Sequence, residues 1–171
     1  MAGPDVPAGR TVSTLTSLVD SAPTIMECVG AKPAPADATL PGRSLFEIAA
    51  GADPDRTAFS EYHAAASMTG TFMLRDGNYK LVYFVGMEPE LCDLAADPDE
   101  TRNLAALPEF ADVLARMTAR LRDICDPEEV DRRARADQAA TIDRHGGREE
   151  LLKRGDFGYS PAPGQKPEFS V

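Results

Sequence analysis

Between Thr57 and Ile124 the spacing of apolar residues changes once, from every second residue to every third or fourth. That change limits the fold, because a period of two marks a strand and a period near 3.6 marks a helix. Thr57–His63 reads as a strand. Thr71–Arg75 and Tyr79–Val85 read as a hairpin across Asp76-Gly77-Asn78, since Asp-Gly supports the positive φ angles of a tight turn. Tyr79, Leu81, Tyr83 and Val85 share one face, and Lys80, Val82 and Phe84 the other. Glu90–Leu94 follows as a further strand. Phe110, Val113, Leu114, Met117, Leu121 and Ile124 then fall at i, i+3, i+4, i+7, i+11 and i+14, an apolar stripe along one helix. A small antiparallel sheet must cover one of its faces, and this helix is the cover. The expected fold class is α+β, a small antiparallel sheet against Glu109–Ile124.

The flanks are helical. Residues 1–10 are rich in Pro and Gly and read as a loop. Val12, Leu15, Leu18, Val19, Ile25, Met26 and Val29 follow at near-helical spacing, with Asp20 or Ser21 as cap and Pro23 in the first turn. Gly30 ends that helix, and Pro33 and Pro35 forbid an early restart. So apolar a helix requires a large partner surface. A short helix is expected at Ser44–Ala50, closed by Gly51. Asp126-Pro127-Glu128-Glu129 starts the last long helix, with Asp126 as N-cap, Pro127 at N1 and Glu129 completing a capping box. It runs to about His145 and stops at Gly146-Gly147, with a short helix expected at Arg148–Arg154. Beyond Gly155 the tail has no core-forming period and reads as extended or mobile. Three parts result: residues 1–56, the sheet with its helix at 57–126, and a helix with a tail at 127–171.

Charge excludes one class of function. The net charge of −10 is opposite to the basic stripe with which nucleic-acid binders displace counterions. Arg132, Arg133 and Arg135 are flanked by Glu128, Glu129, Asp131 and Asp137, the pattern of a solvated helix face. No run of about 18 apolar residues is present, so no membrane span is expected. The N-terminus has no basic region followed by an apolar core, and no leader peptide is read there. Cys28, Cys92 and Cys125 are odd in number and widely spaced, which fits reduced thiols and a cytoplasmic location.

One constellation carries candidate chemistry. On a strand Glu61 and His63 project from the same face with Tyr62 opposite. A carboxylate beside an imidazole can hold it in one tautomer, or the pair can bind a hydroxylated or cationic ligand. The structural alternative is a strand end with a satisfied histidine. His145 at a helix end reads as a cap that suits the helix dipole. The cysteines read as small core residues. Asp93, Asp97, Asp99 and Glu100 invite a calcium site, but their spacing matches no ligand loop and a turn beginning at Asp97-Pro98 explains them. No metal ligands, phosphate-binding loop or Gly-x-Ser-x-Gly elbow are found.

Several segments taken in order resemble type I sulfatases and the related phosphonate monoester hydrolases of the alkaline phosphatase superfamily. Ala-Gly-Pro-Asp-Val-Pro-Ala-Gly-Arg at 2–10 resembles a loop after a core strand. Val19-Asp20-Ser21-Ala22-Pro23-Thr24 resembles the V-D-x-x-P-T helix start, and Gly42-Arg43-Ser44-Leu45 the G-R-S-L motif. Phe59–His63, Met73–Lys80 and the run from Glu90-Leu91-Cys92-Asp93-Leu94 to Asn103-Leu104 follow in the family's order. Cys92 stands where members usually carry Phe. The resemblance covers most of residues 2–145 and implies a hydrolase of sulfate or phosphonate esters. Such an enzyme uses a formylglycine made from Cys or Ser in C-x-P-S-R and a divalent cation, Ca or Mn. No C-x-P-S-R occurs here, and the family's metal ligands cannot be placed in these residues.

The chain is therefore expected to be the C-terminal portion of such a hydrolase, from a truncated gene or a partial sequence, with residues 1–56 a remnant of the α/β core. It would be inactive alone and would bind no cofactor itself. No catalytic residue is assigned. Glu61 and His63 are, by the resemblance, candidates for the substrate side of the cleft. The expected partner is the catalytic core, with homo-oligomerisation as a second outcome. The alternative function is a non-catalytic interaction module that completes a separate catalytic chain; a third is an independent hydrolase using Glu61 and His63.

Overall fold

The computed structural model describes residues 3, 6, 8–64 and 67–154. Contacts divide the chain into two units, Met1–Cys125 and Asp126–Val171. In the first, a 3-10 turn at Leu18–Asp20 leads into α1 (Ser21–Cys28), and α2 (Leu45–Ala49) follows. A four-stranded antiparallel sheet comes next: β1 (Ala58–Tyr62), β2 (Thr71–Asp76), β3 (Tyr79–Phe84) and β4 (Glu90–Asp93), in the order β1-β2-β3-β4. The helix α3 (Ala111–Ile124) ends this unit. The second unit holds α4 (Pro127–Arg144) and α5 (Arg148–Arg154). The α+β class read from the sequence is what the structure has. The tail beyond Gly155 lies outside the described residues.

The β2–β3 hairpin closes on Gly77-Asn78, with Asp76 paired to Tyr79 and Gly77 at φ 55°. A left-handed residue here keeps the turn's twist in step with that of the strands. The register places Leu74 opposite Leu81 and Leu81 opposite Leu91, so the three share one face. Phe72, Leu74, Leu81 and Leu91 are fully buried, as are Met117 and Leu121 on α3. Arg116 and Arg120 on α3 reach Asp76, and Arg122 reaches the Tyr83 hydroxyl, all on that same face. The helix therefore covers the face that carries Tyr79, Leu81 and Tyr83. Burying each leucine contributes about 1.5–3 kcal/mol.

From β4 the chain must turn back to the start of α3, and Asn103 organises that return. Its side-chain oxygen accepts the N–H groups of Leu91 and Ala105 at 3.0 and 2.9 Å, and its amide donates to the Pro89 carbonyl. The Leu104 N–H donates to the Leu91 carbonyl at 2.8 Å. The run Asn103-Leu104 thus satisfies the outer edge of β4, where unpaired backbone groups would otherwise face solvent. Asp93 and Asp97 accept backbone N–H groups of the same turn, from Ala95, Ala96 and Arg102. The Lys80 ammonium engages Glu100. These acidic residues are turn builders.

At α4, Asp126 accepts from the Glu128 and Glu129 N–H groups as an N-cap. Glu129 does not reach back to complete a capping box. Its carboxylate takes both donors of the Arg132 fork, at 2.8 and 2.6 Å, because a bidentate guanidinium outcompetes one amide. His145 is the C-cap, its Nδ1 2.8 Å from the Thr141 carbonyl.

Replacing Leu81 by Ala leaves a cavity at the centre of the sheet face and is expected to cost about 2–5 kcal/mol. Urea denaturation followed by circular dichroism measures it, and Ala at the exposed Tyr62 serves as the near-neutral comparison.

Candidate functional site

The candidate pair stands at the open end of β1. Glu61 is opposite Phe72, and His63 follows the strand directly. Phe72 belongs to the face that α3 covers, so the two candidates lie on that face at its rim. The Glu61 carboxylate and His63 Nε2 are 3.9 Å apart, close enough for an ion pair when the imidazole is protonated but too long for a direct hydrogen bond. His63 is mostly buried, its side chain 18% exposed, whereas that of Glu61 is 46% exposed. The imidazole stands edge-on to the Phe72 ring, centroids 5.3 Å apart and planes at 77°. Phe59 stacks on the same ring at 6.5 Å. The aromatic contact fixes the imidazole and leaves the carboxylate facing solvent. A carboxylate with that access can accept hydrogen bonds from a hydroxylated ligand.

What holds β1 in place is a polar knot in the preceding residues. The Asp20 side chain is completely buried. It accepts the Ser17 N–H at 2.7 Å, the Arg43 N–H at 2.9 Å and the Arg56 guanidinium at 2.9 Å. The Thr24 hydroxyl donates to the Asp20 carbonyl at 2.6 Å and accepts the Leu45 N–H at 2.9 Å. Gly42 lies against Val19, where an added Cβ would stand 2.5 Å from the carbonyl oxygen, and its φ of 111° is itself costly for other residues. Ser44 caps α2 through the Phe46 N–H. The V-D-x-x-P-T and G-R-S-L segments are thus two halves of one clamp. Asp20 stands at the N-cap position of α1 but makes no side-chain cap bond there, because its carboxylate is turned inward.

Burial by itself raises the Asp20 carboxyl, but the donors from Arg56, Ser17 and Arg43 outweigh it and hold the group below the usual carboxylate range. Burial, with Glu100 nearby, pushes the Cys92 thiol upward, so it is the neutral, inert form that packs there.

Among the described residues no three His, Cys, Asp or Glu side chains converge as a metal ion requires. These residues do not fit the divalent cation that the family resemblance implies.

The N-sulphoglucosamine sulphohydrolase C-terminal family matches residues 3–127. The chain belongs to that family. Arylsulfatase K of Mus musculus is 32% identical over 142 residues, which make up 76% of this chain and 25% of that protein. The phosphonate monoester hydrolase of Agrobacterium radiobacter is 32% identical with a TM-score of 0.54, over 68% of this chain and 26% of that one. A protein solved with its substrate D-glucosamine-2-N,6-O-disulfate is 25% identical with a TM-score of 0.61, over 70% of this chain and 26% of that one. The chain spans about a quarter of the length of the curated relatives it matches. It is a sulfatase-family C-terminal domain, and both the knot and the Glu61–His63 pair fall inside the matched residues.

Asp20→Asn is expected to lower stability at pH 7 by about 2–4 kcal/mol, since it weakens a fully buried pair. The pH dependence follows from the depressed carboxyl. Its contribution is complete above the unfolded value of about 3.9 and is lost as pH falls through the lower folded value. Urea midpoints between pH 7 and about 2 are expected to drop less steeply in the Asn variant than in the wild type.

Proposed function

We propose that this chain is the C-terminal domain of a hydrolase of sulfate or phosphonate esters, shaping the substrate side of the cleft without supplying the nucleophile. The observation that carries this reading is the family match over 3–127. Sulfatase and phosphonate monoester hydrolase relatives add support. The 171 residues contain no C-x-P-S-R, so the nucleophile and the cation ligands belong to residues outside these. The exposed Glu61 carboxylate orients a hydroxylated part of the substrate, and His63, fixed against Phe72, stands beside it.

The chain alone is then inactive. Incubated with an aryl sulfate ester and Mn2+ or Ca2+, it is expected to give no turnover above the buffer rate; clear turnover would sink this reading. In a protein that unites these residues with a catalytic portion, Glu61→Gln is expected to raise KM about tenfold with little change in kcat. That ratio corresponds to the loss of roughly one charged hydrogen bond, about 1.4 kcal/mol. An unchanged KM removes Glu61 from the substrate side.

A second reading, a module that seats on a separate catalytic chain, is favoured by α1 and its approach. Leu18, Ile25 and Val29 are 88, 61 and 71% exposed. Exposed apolar side chains of this size favour association. Light scattering of the isolated chain is expected to show oligomers that a catalytic portion disperses. A monodisperse monomer with a sharp cooperative melt counts against an apolar docking face.

A further inference from the structure

The hairpin turn decides which backbone groups of the sheet are left unpaired at its edges. A two-residue turn closes on a hydrogen-bonded pair, here Asp76 with Tyr79. Bonded and non-bonded pairs alternate from there, so Leu74 and Phe72 also bond toward β3. Thr71, Met73 and Arg75 bond the other way, to their partners Tyr62, Ser60 and Ala58 on β1. Phe59 and Glu61 therefore point their N–H and C=O groups outward, away from β2.

The same alternation on β4 turns Leu91 outward, and that edge is closed. The Asn103 side chain takes the Leu91 N–H, and the Leu104 N–H takes its carbonyl. Among the described residues nothing takes the outward groups of Phe59 and Glu61. Nor does the strand carry the usual protection of a free edge. Ala58–Tyr62 contains no proline, glycine or lysine, and Ser60, Glu61 and Tyr62 are exposed. Two donors and two acceptors at strand spacing are met fully by another strand.

We propose that β1 pairs antiparallel with β1 of a second copy of this chain, about a twofold axis at Ser60. The strand is its own complement in that register. Glu61 lies opposite Phe59 of the partner subunit, and Tyr62 opposite the partner's Ala58. Each of those outward pairs exchanges two backbone hydrogen bonds, and Ser60 faces the partner's Ser60 across a non-bonded pair. All five residues of β1 are matched, with no like charges opposed. A slip that set Glu61 against the partner's Glu61 would oppose two carboxylates. The two four-stranded sheets become one of eight. The pairing uses the Glu61 backbone and not its carboxylate, so it goes beyond the substrate-side reading of that residue. Five residues a side, with a net charge of −10 on each copy, make the dimer weak and favoured by salt that screens the charge.

Analytical ultracentrifugation of the full chain over a concentration series, in screening salt, is expected to show a monomer–dimer equilibrium. Glu61→Pro removes one outward N–H, keeps the ladder to β2, and is expected to weaken the dimer at least tenfold. Glu61→Gln keeps the backbone and is expected to leave it unchanged, so this proposal and the substrate-side reading fail separately. Ser60→Cys in a Cys28→Ser background sets two thiols on residues with Cα atoms about 4.5 Å apart, within disulfide range. Mild oxidation is expected to give a covalent dimer. Tyr62→Cys in the same background is expected to give none, because its copies stand four residues out of register, about 13 Å apart. Should Glu61→Pro fail to fold, the two cysteine variants decide. Leu18→Ser, on the exposed apolar flank, is expected to leave the Ser60→Cys crosslink intact. A monomer at every concentration overturns the proposal. So does crosslinking at Tyr62→Cys as fast as at Ser60→Cys, or a crosslink lost with Leu18→Ser.

Discussion

The Asp20 carboxylate is the contact on which the placement of the sheet depends. A fully buried charge is tolerable only when its lone pairs are filled, and here they are filled by Ser17, Arg43 and Arg56. The three donors come from before α1, from the lead into α2 and from the lead into β1. One side chain thus ties together segments separated by 36 residues. Arg56 stands two residues ahead of β1, so the same ion pair that closes the knot sets the strand bearing Glu61. Thr24 repeats the device on a smaller scale, donating within its own helix and accepting from Leu45.

A second carboxylate plays the matching part on the other side of the sheet face. Asp76 holds two arginines of α3 at the hairpin end, while the buried leucines and Met117 and Leu121 supply the non-directional attraction between helix and sheet. Apolar burial brings the layers together, and the ion pairs choose the helix position along the strand. The outcome is a sheet face with two different rims: an aromatic and carboxylate rim at Phe72, Glu61 and His63, and an arginine rim at the hairpin turn. Segments that mark the family by sequence, V-D-x-x-P-T, G-R-S-L and the run ending in Asn103-Leu104, all prove to be architecture. They form a clamp and the seal on an edge strand.

Local periodicity made the four strands, the Asp-Gly turn, α3 and the Pro127 start of α4 legible, because each is set by neighbours within a few residues. Alternation also put Glu61 and His63 on one face, which the 3.9 Å separation bears out. What stayed hidden has a common cause. Asp20 carries the signature of a helix cap, and nothing within four residues distinguishes a carboxylate that caps from one that turns inward to Arg43 and Arg56. Glu129 likewise fits a capping box until the Arg132 fork takes it. Phe72 gives no sign in the sequence that it will brace His63, since the two are nine residues apart and meet only through strand pairing.

By itself, then, the sequence determined the strands and main helices, the family and the shared side of Glu61 and His63, since short-range steric and hydrophobic preferences act along the chain. Only the tertiary structure decided that Arg116 and Arg120 both reach Asp76, and that Asp20 binds across three segments. Charges far apart in the chain interact only after the apolar faces have packed and excluded water between them, and no spacing rule along the sequence encodes that distance.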